Sequence, residues 1–215
     1  MVLLLIGTIS SCKKNESPKA EVNAASENSN TNEGTIYNVN LESSKVLWEG
    51  SKPTGKHTGS INLQSGTLTV AENKVVGGEF VLDMNTITDL DLEGDMKSNL
   101  EAHLKGTAEG KEDDFFNVAK YPTATFEITK VTGIANDNDA SHLVYGNLKI
   151  RDITKEIGFK AKITISDAGI NVSTPQFSID RTDFGIKFMS KTFFDDLKDK
   201  FVNDNINLQI KLLAA

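Results

Sequence analysis

The chain has 215 residues, with 30 Asp and Glu against 23 Lys and Arg and a net charge of −7. That length is ample for a sizeable core in one or two domains. The acidic balance argues against nucleic acid, whose phosphates need a basic face, and against attachment to an anionic membrane by charge alone.

The chain opens on an apolar run, Val2 to Ile9, followed by Ser10-Ser11-Cys12-Lys13-Lys14. Eleven residues ahead of Cys12 cannot span a bilayer core as helix, which takes roughly 20. They do suit the apolar region of a signal peptide. Small residues directly before a lone cysteine resemble the bacterial lipobox, so 1–12 is expected to be a lipoprotein signal peptide ending at a lipidated Cys12. No basic residue precedes the apolar run, which leaves open whether the true start lies upstream. The expected location is a bacterial cell envelope, with Lys13 favouring an outer-membrane anchor facing the periplasm. A single cysteine allows no intramolecular disulfide. Residues 13–34 are rich in Asn, Ser, Glu and Ala and lack periodicity, which predicts a disordered tether with a reach of roughly 25 Å.

A β-rich domain is expected over 35–215. Ile36 to Leu41 and Lys45 to Glu49 read as its first strands, around a turn at Glu42 to Ser44. His57, Gly59, Ile61 and Leu63 share a face, a turn is expected at Ser65-Gly66, and Thr67 to Val70 reads as the next strand. Val76, Gly78, Phe80, Leu82 and Met84 then alternate with polar residues. Between Asp89 and Asp114 the period changes. Leu92, Met96, Leu100 and Leu104 recur every four residues as on a short amphipathic helix, stopped by Gly106 and Gly110.

Tyr121 before Pro122 is pushed to an extended conformation. Ala124, Phe126 and Ile128 follow at strand period. So do Val144 to Ile150, Ile157 to Ile165, the return strand after a hairpin turn at Asp167 to Gly169, and Ile206 to Leu212. Phe177, Ile179, Arg181 and Asp183 share one parity, and Phe193 to Lys200 is read as a helical turn. About eight or nine strands with one helical insert make an antiparallel sandwich or an up-and-down barrel. The inward small residues Gly59, Gly78, Ala124, Gly146 and Ala161 either leave a cavity or pack against Phe80, Phe126 and Phe159 to fill the core.

Asp89-Leu-Asp-Leu-Glu-Gly-Asp95 superficially resembles a calcium loop, but Leu100 stands where a bidentate glutamate is needed. It reads as a solvated start to the helix. His57, His103 and His142 have no metal-ligand spacing; His103 is expected on the helix surface and His142 in a loop. No G-x-S-x-G, P-loop or C-x-x-C is present. His57 and the Arg181/Asp183 pair share the parity of the inward face, where a charge must be paired. They serve either as structural contacts at a barrel end or, for Arg181 with His57, as receptors for a polar head. Catalysis by His57 with Asp183 would need both within hydrogen-bonding reach in an open cleft.

Several segments recur in a familiar order: Trp48-Glu-Gly-Ser-Lys-Pro-Thr-Gly-Lys-His-Thr-Gly59, Gly77-Gly-Glu-Phe-Val-Leu-Asp83, Leu100-Glu-Ala-His-Leu-Lys105 and Asp114-Phe-Phe-Asn-Val-Ala-Lys-Tyr-Pro-Thr-Ala-Thr-Phe126. Gly146-Asn-Leu-Lys-Ile-Arg-Asp-Ile-Thr-Lys155 and Arg181-Thr-Asp-Phe-Gly185 complete the set. Together they resemble the YceI-like family of polyisoprenoid-binding periplasmic proteins, from about Thr35 to the C-terminus. This chain departs from the family in a lengthened Gly106–Asp113 segment and in its membrane tether.

The resemblance implies an all-β fold, an extended antiparallel lipocalin-like barrel of about eight strands with the short helical insert covering one end. It also implies a non-catalytic, cofactor-free protein that binds an isoprenoid or fatty-acyl lipid for carriage or storage. Dimerisation is left open. Parity nominates Trp48, His57, Phe80, Phe116, Phe126, Phe159, Ile163, Phe177, Arg181 and Asp183 as ligand-facing. Leu100, Leu104 and Phe115 or Phe116 are expected to cover one barrel end. The alternative is an interaction or stress-response barrel with a filled core.

Overall fold

The computed structural model describes residues 17–27 and 33–215; Cys12 and the expected leader lie outside them. Its strands run β1 (Glu21–Ala24), β2 (Thr35–Asn38), β3 (Lys45–Lys52), β4 (Gly55–Ala71), β5 (Lys74–Asp83) and β6 (Thr88–Asp89). Helix α1 (Gly94–Lys105) interrupts them, and β7 (Thr123–Gly133), β8 (His142–Ile150), β9 (Ile153–Ser166), β10 (Gly169–Ser173), β11 (Phe177–Asp180) and β12 (Asn205–Ala214) follow. Short 3-10 turns occupy Met84–Thr86 and Arg181–Phe184.

Eight of these strands close into an antiparallel barrel in the order β9-β10-β12-β3-β4-β5-β7-β8, with β8 pairing back onto β9. Closure removes the exposed edges that a flat sheet of this size would carry. Alternation explains the wall, because one face of each strand buries its apolar residues inside. The interior cluster draws Val46, Leu68, Phe80, Ile128, Phe159 and Leu212 from six of those strands and Phe177 from β11.

β4 is one continuous strand, so the expected turn at Ser65-Gly66 is absent. Its first half pairs with β3, from Gly55↔Lys52 to Asn62↔Lys45. A register shift between Leu63 and Ser65 then carries its second half onto β5. Such a bulge bends a strand without ending it, which lets a single strand serve two neighbours around a curved wall. The true reversals use left-handed residues: Glu72 and Asn73 at φ 50° and 59°, and Gly169 at φ 118°.

β10 and β11 are one strand broken at Thr174 to Gln176, both laid against β12. β10 pairs with β9 only from residue 162 onward, leaving the first half of β9 without that neighbour. β1 fills the gap. It pairs antiparallel with β9, from Glu21↔Gly158 to Ala24↔Lys155, while Lys19 bridges Ser178 of β11. Ser178 N–H donates to the Pro18 carbonyl at 2.9 Å, and Ala20 N–H to the Ser178 carbonyl at 2.8 Å. Within the expected tether, residues 17–27 are therefore stitched into the barrel wall.

Two further expectations are corrected. Strand parity ends at Asp180, whose carboxylate accepts from the Thr182 amide at 3.0 Å and hydroxyl at 2.6 Å and so starts a 3-10 turn. Asp183 therefore leaves the inward face. Residues 193–200 form no helical turn, because Asp196 and Lys198 adopt φ of 59° and 49°.

Candidate functional site

Two compartments lie within the barrel. The wide one, about 550 Å³, lies at the α1 end, and the narrow one, about 100 Å³, lies deeper. Val46, Leu82, Leu148 and Leu208 line both and form the neck between them. The two readings of the small inward residues therefore divide between the halves: the deep half is packed down to the narrow compartment and the near half is hollow.

Aromatic rings do the filling. Phe80, Phe126, Phe159 and Phe177 form a chain with centroid separations of 6.3, 5.6 and 4.6 Å, the last pair stacked at 3°. These four and Ile163 surround only the narrow compartment. The wall glycines are not voids either. A Cβ on Gly59 would strike the Trp48 ring and the Thr88 carbonyl, and one on Gly146 would strike the Phe126 ring. On Gly78 it would meet the Thr67 carbonyl and the side chains of Leu68 and Ile128. Absent side chains thus let neighbouring rings lie flat on the wall, and the open volume comes from the loops and helix standing off the barrel end.

That end is closed by α1 and two loops. Leu100 and Leu104 of α1 line the wide compartment with Phe115 and Phe116, while Met96, expected on the same stripe, is 67% exposed. Gly106 at φ 71° ends the helix and turns the chain back beneath it. Phe116 N–H donates to the Leu104 carbonyl at 3.1 Å and Val118 N–H to the Lys105 carbonyl at 2.9 Å. Arg151 donates to the Phe115 carbonyl and to Asp113 from across the β8–β9 turn. His103 is not on the outer surface as expected. It is half-buried, sits 2.7 Å from Asp114, and its ring stands edge-on to Phe115 and Phe188 at 5.1 and 4.9 Å. The cover is anchored at that ring.

The cavity reaches solvent between the β3–β4 turn and the 199–203 segment, where Lys52, Thr54, Asp199 and Lys200 are exposed lining residues. Its wall is otherwise mostly apolar, with Trp48, Ile61, Ile87, Ile150, Ile186 and Met189 among the contributors and His57, His103 and Arg181 among the polar exceptions. The Trp48 indole N–H is buried and has no hydrogen-bond partner among the described residues. The sequence offered no periodicity in 185–203, so Ile186, Phe188, Met189 and Val202 were not anticipated. Their only advance signal was apolar residues in a segment without strand pattern.

Arg181 and His57 both line the wide compartment, but Arg181 is committed elsewhere. It is 1% exposed. Nε donates to the Asn203 carbonyl at 3.1 Å, Nη1 to the Ile186 carbonyl at 3.0 Å, and Nη2 to the Val202 carbonyl and Asp204 at 2.9 and 3.1 Å. Four of five N–H donors are thereby spent on the 186–204 loop. Asp183 lines neither compartment.

His57 finds its carboxylate in Asp91, with Nδ1 3.0 Å from Oδ2. The other Asp91 oxygen accepts from the Thr58 amide and hydroxyl. The Thr58 amide, joined by the His57 ring and the Thr58 hydroxyl, holds the Asp91 carboxyl below its ordinary value. Asp89 is not solvated; it is fully buried in β6, opposite Gly59. His142 opens β8, with its ring 2.8 Å from the Ser141 hydroxyl, and burial pushes its pKa down.

A YceI-like domain model matches residues 37–214. Among curated relatives, a UPF0312 protein of Pseudomonas aeruginosa is 45% identical over 53 residues, covering 25% of this chain and 26% of that protein. A UPF0312 protein of Yersinia pestis is 38% identical over 64 residues, covering 30% of this chain and 28% of its own length. The matched part therefore spans little more than a quarter of either relative. Two solved structures share the fold. BcnA of Burkholderia cenocepacia superposes with a TM-score of 0.60 at 20% identity, covering 82% of this chain and 99% of that one. A polyisoprenoid binding domain from Saccharophagus degradans, implicated in plant cell wall breakdown, also gives 0.60, at 18% identity over 83% of this chain and 97% of that one.

Proposed function

The chain belongs to the YceI-like domain family, and on that premise we propose that its barrel binds an amphiphilic lipid, of polyisoprenoid or fatty-acyl type, for carriage or storage in the cell envelope. One observation carries the reading: an apolar cavity of about 550 Å³ opening to solvent at a polar rim. That volume falls in the ordinary range for small-molecule sites, roughly 300–1,000 Å³. Each methylene moved from water into such a wall contributes about 0.8 kcal/mol, so a chain of modest length suffices for firm binding. The head then stays at the rim, where Lys52 and Lys200 supply exposed donors and Ser51 and Asn203 bond each other at 2.7 Å. Inside, the unpartnered Trp48 N–H offers an orienting donor to a ligand oxygen. The lipidated Cys12 and an outer-membrane anchor belong to the same proposal.

Native mass spectrometry of the protein purified from its host membrane fraction, followed by lipid extraction, tests it. A bound amphiphile released on denaturation is expected. A ligand-free barrel that takes up neither fatty acid nor prenyl alcohol would overturn it and favour the interaction-module alternative.

A further inference from the structure

The Asp89–Asp95 segment, set aside as a calcium loop, is not solvated at its first acid. β6 pairs Asp89 with Gly59 and Thr88 with Ser60. Leu90 N–H donates to the Thr58 carbonyl at 2.8 Å, which draws the following residues against His57 and Thr58. As a result, a ring nitrogen of His57 and one carboxylate oxygen from each of Asp89 and Asp91 lie within 4.8 Å of one another.

Proximity alone would make this an ion pair with a bystander. The Asp89 carboxylate argues for more. Asp89 is 0% exposed. Its Oδ1 accepts from the Asp91 and Leu92 amides at 3.1 and 2.6 Å, yet its Oδ2 is buried with no partner among the described residues. A buried carboxylate oxygen without donor or counter-charge is costly, and such groups are normally paired or bound to metal. The ammonium of Lys56, next to His57 in the chain, is taken by Glu49 at 2.7 Å. Two carboxylates thus converge on one imidazole with negative charge to spare.

We infer that His57, Asp89 and Asp91 form a binding site for a divalent first-row transition ion such as Zn²⁺, Mn²⁺ or Co²⁺. One imidazole nitrogen with two carboxylates favours these ions over calcium or magnesium, which take oxygen ligands. The geometry is compatible: two ligand atoms each about 2.1 Å from one ion stand about 3.0 Å apart at an octahedral right angle and about 3.4 Å apart at a tetrahedral angle. The His57 Nδ1 to Asp91 Oδ2 separation is 3.0 Å. The ligands are also held by outer partners, as metal ligands generally are. Thr58 fixes Asp91, two backbone amides fix Asp89, and the Asp89 amide itself donates to Glu101 at 3.0 Å. His57 and Asp91 side chains remain 31% and 36% exposed, which gives an ion a way in. Three protein ligands leave further coordination positions open. The site does not depend on the lipid reading.

The test is a Co²⁺ titration of the untagged, chelator-treated chain, followed by visible absorption and by Zn²⁺ competition. One equivalent of Co²⁺ with ligand-field bands is expected, displaced by Zn²⁺. His57→Ala, Asp91→Asn and Asp89→Asn should each weaken binding at least tenfold. His103→Ala, in the other His–carboxylate pair, should leave it unchanged. Thermal melts of the metal-free variants check folding, and the partly exposed His57 and Asp91 positions keep the test valid if Asp89→Asn does not fold. The inference is overturned if the wild type takes up no ion, if these variants bind like wild type, or if His103→Ala abolishes binding instead.

Discussion

Arg181 has the inward parity, the charge and the position at a cavity wall that nominate a headgroup receptor, and its hydrogen bonds say otherwise. Its guanidinium joins three backbone carbonyls and Asp204, tying the 3-10 turn to the 186–204 loop that helps cover the barrel. Arg181→Met would strand those buried acceptors and leave Asp204 unpaired. The expected cost is about 3 kcal/mol, roughly 6–12 °C in Tm for a chain of this size. The lipid recovered from the folded fraction should be unchanged. A loss of lipid without a loss of Tm would reverse the assignment. Parity identified Trp48, His57 and Phe116 as cavity residues because strand alternation or an apolar pair marks them directly. It could not show that Arg181 already donates its hydrogen bonds elsewhere, since its partners lie 5 to 23 residues away in an irregular loop. Nor could it pair His57 with Asp91, 34 positions on, without the β4–β6 contact.

At the scale of elements, period-two alternation made most strands legible, and the two-versus-3.6 change marked α1. β1 left no such mark. Glu21-Val22-Asn23-Ala24 carries one large apolar residue, and its attachment is mainly backbone pairing, which any sequence can make. The broken strand explains why the site exists: between β9 and β11 the wall lacks one neighbour, and unpaired backbone there would be exposed. Deleting residues 1–26 should therefore lower Tm and speed amide exchange specifically within 155–158 and 177–179. Exchange that matched the full chain in both segments would show that β1 does not hold the seam.

For the whole molecule, division of the interior matters more than its total volume. A tightly packed deep half makes the floor, with Phe126 and Phe159 among its rings, and a hollow half sits under a cover of side chains from α1 and the 113–118 and 185–203 segments. The fold class was readable because alternation is global. The division was not, because it depends on where rings lie across strands. Phe116→Ala should open the cover, accelerating uptake of a fluorescent fatty acid several-fold in stopped-flow while costing about 2–4 kcal/mol of stability. Unchanged uptake with unchanged stability would mean that Phe116 is no part of the closure.

The strand at the seam has a bearing on where the barrel can stand. A free tether from Cys12 to Thr35 would let the domain drift. With Ser17 bonded to Gln176 at 2.9 Å and Lys19 bridged to Ser178, only four residues, and so five Cα-to-Cα steps, separate Cys12 from the wall. Fully extended they span about 17 Å. An acyl anchor at Cys12 would thus moor the barrel by its flank, side-on and close to the bilayer, and pulling on that mooring would load the seam first.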